Sequence, residues 1–237
     1  MTGAPWSRFE PANVAFCEPR LDAWIVEPGN AWSSLAYIAV AAWLFVRVVR
    51  EHRHVLLLVA STSLAVGITS FAFHATGTFA GQFFDEASMF FISSLMVTLA
   101  IRRLRDWRTM QCAVCYSTMV VVLTALLTVV KTSGIIAFTV QITVAILLEV
   151  YLALRYRGTA RHGAMWTALA LYLLASVLWL GDLMRILCDP KIAHVVSGHI
   201  AWHILTAACL AVYYRYQEQF IQQLTGPRGV GSPCAVD

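Results

Sequence analysis

The chain has 237 residues, of which 59% are hydrophobic and only 13% charged. A soluble domain carries roughly twice that charged fraction, so the composition excludes an ordinary soluble protein and points to a polytopic membrane protein. The net charge of +4 is not a nucleic-acid signal, because most of the positive charge sits in short loops between apolar stretches.

The first sixteen residues, MTGAPWSRFEPANVAF, hold no apolar run, so no signal peptide is expected. Residues 1–29 read as a polar N-terminal segment. Seven stretches then have the length and apolarity of bilayer-spanning helices: Asn30–Val49, Val55–His74, Asp85–Ile101, Met110–Val130, Ile135–Leu154, Ala164–Leu187 and Gly198–Tyr214. Residues 215–237 form a tail rich in Gly, Gln and Pro, expected to be disordered. Its ending, Cys-Ala-Val-Asp, has the outline of a prenylation box, but a final Asp is atypical and it reads as an ordinary chain end. Cys112 and Cys115 have the spacing of half a zinc site but lie inside an apolar stretch with no second pair. No internal repeat is evident.

Short connections make neighbouring helices antiparallel, and positive charge sets their direction. Of the seventeen Lys and Arg, twelve fall on one side: Arg47, Arg50, Arg53, Arg102, Arg103, Arg105, Arg108, Arg155, Arg157, Arg161, Arg215 and Arg228. The other five are Arg8, Arg20, Lys131, Arg185 and Lys191. The expected architecture is thus an all-α, seven-transmembrane helix bundle with the N-terminus outside or lumenal and the C-terminus cytoplasmic. Under this orientation His52, His54 and His162 lie in cytoplasmic loops and His194 in an outer loop, all read as solvated. His74 ends the outward-running second span. His199 and His203 begin the inward-running seventh. All three reach the same depth near the outer face.

H-x-x-x-H on a helix puts two imidazoles on one face, about 6 Å apart. A third histidine completes the three-ligand set of a catalytic zinc site, whose fourth position stays open. The pair alone would equally suit two hydrogen-bonded histidines lining a polar cavity. The stretch SFAFHATGTFAGQFFDE, residues 70–86, adds Ser70 one turn below His74, and Asp85 at the start of the third span. Taken singly, Ser70 would bond back to its own helix and Asp85 would be an N-cap. Together, five polar residues from three spans at one membrane face are more economically a zinc site with supporting groups.

S-x-x-x-H on span 2, Asp eleven residues after that His, and H-x-x-x-H on span 7 resemble the alkaline ceramidases. These belong to the membrane-hydrolase superfamily that includes the progestin and adipoQ receptors. CEPRLDAWIVEPGNAWSSLAYI (17–38), WLGDLMRILC (179–188) and HIAWHILTA (199–207) extend the resemblance over residues 13–214. It implies an intramembrane zinc amidase cleaving ceramide, or a related lipid amide, to a sphingoid base and a fatty acid. His74, His199 and His203 would hold zinc; Ser70 and Asp85 would be catalytic, flanking the attacking water. Asp85 would accept its proton and pass it to the leaving amine, and Ser70 would hydrogen-bond the oxyanion.

The resemblance also implies a calcium site before span 1, with Glu18 and Glu27 matching it and Asp22 as a third oxygen ligand. Ala15-Phe16 depart from it, standing where the family has an acid and a Trp. Cys17 and Cys188 both fall on the outer side, where a disulfide is allowed; the resemblance favours that pairing. Asp182, two turns from the outer end of span 6, is a candidate support for the zinc face. The expected partners are membrane lipid and a lipid amide; no protein or nucleic-acid partner is expected. Two rival readings remain open from the sequence: a zinc-containing lipid receptor or sensor of the same superfamily, and a transporter with a histidine proton relay. The transporter predicts polar groups across the midplane, whereas spans 4 and 5 look nearly featureless.

Overall fold

The computed structural model describes residues 5–51, 56–105, 107–156 and 160–220. His52, Arg53, His54, Arg157, Arg228 and the C-terminal Cys-Ala-Val-Asp lie outside the described residues. The helices are α1 (Pro28–Ser33), α2 (Leu35–Arg50), α3 (Leu57–Thr76), α4 (Phe79–Arg105), α5 (Thr109–Val129), α6 (Gly134–Arg155), α7 (Gly163–Leu183) and α8 (Gly198–Glu218). Among the described residues the only β pairing is an isolated bridge between Pro11 and Thr78.

Among the described residues six segments are long and apolar enough to cross a membrane: α1 with α2, and α3 to α7. The expected seventh span forms as α8 but does not reach that apolarity. It carries His199, His203, Arg215, Gln217 and Glu218. It tolerates them because protein, rather than lipid, covers one whole side of it: His199, Trp202, His203, Thr206, Leu210, Tyr213 and Gln217 are all buried. Long α5 is the opposite case. Only Cys112 and Leu127 are buried along it, and Val114, Val121, Val122 and Val129 face outward, the pattern of a lipid-facing helix at the rim.

The third span begins earlier than its hydropathy suggests. Gly77 closes α3 in the left-handed conformation (φ 61°), which costs glycine nothing. Thr78 then caps α4, its Oγ1 accepting from Gly81 N at 3.1 Å. The polar-looking Thr-Phe-Ala-Gly-Gln is therefore a helix start, and Asp85 lies in the second turn of α4. It is not an N-cap. The sixth span ends sooner than expected, at Leu183, which puts Asp182 in the last turn of α7.

The ends of α2, α4, α6 and α8 gather at one end of the bundle. Arg47 pairs with Glu218 at 3.1 Å. Arg103 pairs with Glu149, and Gln217 Nε2 donates to the same carboxylate at 3.3 Å. α6, the fifth span, is thus not featureless. Its Gln141 also bridges Ser93 (2.5 Å) and Ser94 (2.8 Å) on α4. Each of these polar groups is matched by an α4 partner, so α4 and α6 lock together.

The N-terminal segment is not a solvated tail. Val26 N donates to Ala75 O and Glu27 N to His74 O, both at 3.0 Å, so the chain runs along the end of α3. Cys17 and Cys188 are joined by a disulfide that ties this segment to the loop after α7. His194 is likewise not a free loop histidine: its Nδ1 lies 2.7 Å from Glu18 Oε1. His162 precedes α7 and reaches Tyr156 O at 3.3 Å.

Candidate metal centre

At the end of the bundle opposite the Arg103–Glu149 pair, His74, His199 and His203 converge. All three are buried, at 0%, 5% and 2% exposure. One ring nitrogen from each lies within 4.8 Å of the others. Helix geometry accounts for half of this: His199 and His203 are one turn apart near the start of α8, with ring centroids 4.4 Å apart. Packing of the α3 end against α8 brings in His74, whose Nε2 lies 3.0 Å from His199 Nε2.

Which nitrogen faces inward is set from behind. His74 Nδ1 lies 2.7 Å from Glu27 Oε2, and His203 Nδ1 lies 2.8 Å from Ser33 Oγ. Both contacts turn Nε2 toward the cluster, the arrangement that orients metal-ligating imidazoles elsewhere. His199 is held differently. Its Nδ1 is buried without a hydrogen-bond partner among the described residues, and its ring stacks on Phe16 at 3.6 Å between centroids and 23° between planes. Its backbone is fixed by Asp182, whose Oδ2 accepts from His199 N (3.1 Å) while Oδ1 accepts from Cys17 N (2.8 Å). Asp182 is fully buried. It fastens the N-terminal segment to the first turn of the histidine helix.

The donor set fits zinc. Imidazole nitrogens at the usual 2.0–2.1 Å from a tetrahedral zinc lie about 3.3–3.4 Å from one another, and the His74–His199 nitrogens approach that spacing. The cluster is the one group of described His, Cys, Asp and Glu side chains arranged to share a metal ion.

Ser70 and Asp85 stand beside it. Ser34 Oγ donates to Ser70 Oγ at 3.1 Å, Ser70 Oγ lies 3.4 Å from His203 Nε2, and Ser70 is also a hydrogen-bond partner of the Asp85 carboxylate. The neighbouring Thr69 does what Ser70 alone was equally suited to do, donating back to Ala65 O at 2.8 Å. Ser70, Asp85, His199 and His203 line a cavity of about 520 Å³ whose walls are mostly apolar. It follows α6 from Ile135 to Val150, a length of roughly 20 Å at 1.5 Å per residue. A long, mostly apolar cavity that also reaches these polar groups suits a lipid with its reacting bond near the head.

Comparison with known protein families matches residues 10–229 to the ceramidases. This chain belongs to the ceramidase family. Membership supports hydrolysis of ceramide as the activity, and a lipid amide as the substrate class. No curated protein matches the chain. Within this ceramidase-family chain, Ser33, Ser34 and Phe16 were not recognisable as site residues from sequence. Ser33 and Ser34 sit in an ordinary Trp-Ser-Ser-Leu stretch, and only packing gives them a role, of Ser33 against His203 on α8 and of Ser34 against Ser70 on α3. Phe16 was visible only as a departure from the family pattern.

The three expected calcium ligands do not form one of the groups of described side chains arranged to share a metal ion, although Glu18 and Glu27 both contact Asn30. Asp22 is exposed. Glu18 accepts from Gly29 N and Asn30 N, each at 2.7 Å, and so pins the start of α1. Glu27, buried at 1% exposure, serves His74. Burial raises the Glu27 pKa, but hydrogen bonds and charges from His74, Asn30 and Arg20 outweigh it and hold the carboxyl below its ordinary range.

Proposed function

We propose that the chain is a zinc-dependent ceramidase working inside the membrane, with His74, His199 and His203 as the metal ligands. The observation that carries this reading is a cluster of three buried imidazoles, two of which line a mostly apolar cavity together with a serine and a carboxylate. A zinc ion held there supplies Lewis acidity to the carbonyl and the water of an amide hydrolysis.

The remaining chemistry falls to the chain. The mostly apolar cavity seats a hydrocarbon chain and presents the amide carbon to these polar groups. Asp85 takes a proton from the attacking water at its carboxylate and returns it to the amide nitrogen as the C–N bond breaks. Ser70 Oγ–H donates to the carbonyl oxygen as negative charge grows on it. Its position between Asp85, Ser34 and His203 leaves the hydroxyl little freedom to turn away. The products are a fatty acid and the free amine of a sphingoid base. Phe16, the disulfide and Asp182 cover the site from the outer end and limit water entry.

In this reading α8 is a seventh crossing and the histidine end faces the lumen or exterior. The arginines at the ends of α2, α4 and α8 support that direction. The exposed Trp24 and Trp32 at the histidine end suit the depth of lipid headgroups. The test is purified protein with a panel of lipid amides, read by fatty-acid release in mass spectrometry, before and after zinc is stripped and restored. Ceramide hydrolysis that disappears and returns with zinc is the expected result. Zinc and lipid binding without release from any amide would instead favour a receptor or sensor.

A further inference from the structure

The outer segment holds a guanidinium where the family resemblance leads one to expect a calcium ion. Calcium takes six to eight oxygen ligands, and the carboxylate oxygens of Glu18 and Glu27 face N–H donors, which leaves Asn30 Oδ1 as the buried oxygen here without a hydrogen-bond partner among the described residues. Both oxygens of Glu18 accept from the backbone: Oε1 from Gly29 N, Oε2 from Asn30 N. His194 Nδ1 adds a third contact, at 2.7 Å. On Glu27, Oε2 faces His74 Nδ1 at 2.7 Å and Asn30 Nδ2 at 3.2 Å. Its other oxygen, Oε1, accepts from Arg20 Nε at 3.2 Å. Arg20 Nη2 donates to the backbone carbonyl of Val14 at 3.0 Å. Asp22, the third expected acid, is exposed. An entering ion would have to displace the N–H donors that start α1.

Arg20 thus bridges a buried carboxylate and a backbone carbonyl, the two kinds of oxygen a calcium ion would draw together. Its charge is permanent, since guanidinium does not deprotonate in proteins. The side chain lies over the turn that ends α3, with Nε 3.8 Å from where a Cβ on Gly77 would be. From Arg20 the contacts continue inward: guanidinium to Glu27, Glu27 to His74 Nδ1, and the other His74 nitrogen into the histidine cluster.

We infer that Arg20 is the built-in cation of this outer cap, that the cap takes no calcium, and that Arg20 is a positioning residue for His74 acting through Glu27. The cap is then held closed at any calcium concentration. Only the last element rests on the proposed zinc site.

Two measurements on the full-length purified protein test this. In the first, protein freed of divalent ions other than zinc is titrated with calcium chloride to about 10 mM, beyond the weakest ordinary protein calcium sites. Calorimetry and thermal unfolding are the readouts. No saturable heat and no rise in Tm are expected, because a ligand that binds the folded state must stabilise it. A saturable signal with a rising Tm overturns the inference. In the second, zinc is competed away from wild type, Arg20→Lys and Arg20→Ala with a chromogenic chelator. Loss of such an outer support typically weakens metal affinity about 10–100-fold; Arg20→Ala should fall at the low end of that range and Arg20→Lys between it and wild type. Wild-type zinc affinity in folded Arg20→Ala would leave Arg20 merely structural and overturn the positioning role. If Arg20→Ala does not fold, wild-type zinc affinity in Arg20→Lys overturns it. A wild type that holds no zinc removes the zinc reading and the positioning role with it, while the calcium titration still decides the rest.

Discussion

At one end of the bundle three imidazoles turn toward one another with a single carboxylate, Glu27, behind one of them. At the other end Arg103 and Glu149 face each other directly. Gln217 donates to the same carboxylate (3.3 Å), Arg103 Nη1 donates to Tyr216 Oη (3.2 Å), and the Phe220 ring lies against the guanidinium at 4.5 Å. Both clusters are buried, and both border or approach the same cavity. The Arg103–Glu149 cluster, the inner one in the proposed orientation, matches one charge with its opposite, with Glu149 Oε2 and Gln217 Oε1 left without a hydrogen-bond partner among the described residues. The outer one collects like groups whose inward nitrogens cannot all be satisfied by one another. A buried pair of opposite charges belongs to architecture; a buried cluster of like groups that face one another is a place for a ligand.

Breaking the outer cluster should have the largest effect. His199→Ala/His203→Ala should lose zinc, measured by metal analysis of the purified protein, and should lose detectable ceramide turnover with it. Full zinc occupancy in that double variant would refute the ligand assignment. Asp85→Asn keeps the shape of the side chain and removes the base. It should lower kcat by about 10²–10⁴-fold, the usual contribution of positioned proton transfer, with zinc retained. Wild-type turnover in Asp85→Asn would require another proton acceptor. Ser70→Ala should cost about 10²–10³-fold, the scale of a lost oxyanion donor, again with zinc retained; an unchanged rate would reduce Ser70 to a packing group.

Glu27→Gln sharpens the comparison from behind the cluster. It should weaken zinc about 10–100-fold in a competition assay without removing any ligand. The inner cluster should respond in the opposite manner. Glu149→Ala leaves Arg103 buried and unpaired, which should cost about 3–5 kcal/mol of stability, seen as a lower Tm. Zinc per folded chain should stay unchanged. Zinc loss in Glu149→Ala would mean that the two ends are coupled through the cavity.

Much of the outer site was legible because its parts are local. His199 and His203, and Ser70 and His74, are one turn apart within single helices, so their common face follows from 3.6 residues per turn. Asp85 was legible as a site residue but misplaced as a cap, because Thr-Phe-Ala-Gly-Gln looks like a loop when Thr78 is not recognised as the residue that starts α4. The inner cluster was missed for the converse reason. A lone glutamate and glutamine in an apolar stretch say little until α4 supplies Arg103, Ser93 and Ser94 from 46, 48 and 47 positions away.

The sequence by itself determined the helical, membrane-suited character of this chain and singled out three of its seven histidines, because hydropathy and helical spacing are properties of consecutive residues. Tertiary structure decided what each polar group answers to. Glu27 serves His74, Asp182 joins Cys17 to His199, Ser33 turns His203, and Arg20 meets Glu27, one of the acids where calcium was expected. Those pairings join residues 7 to 170 positions apart. Apart from the nearby Arg20–Glu27 pair, no periodicity within one segment encodes them; they exist only once the helices have packed.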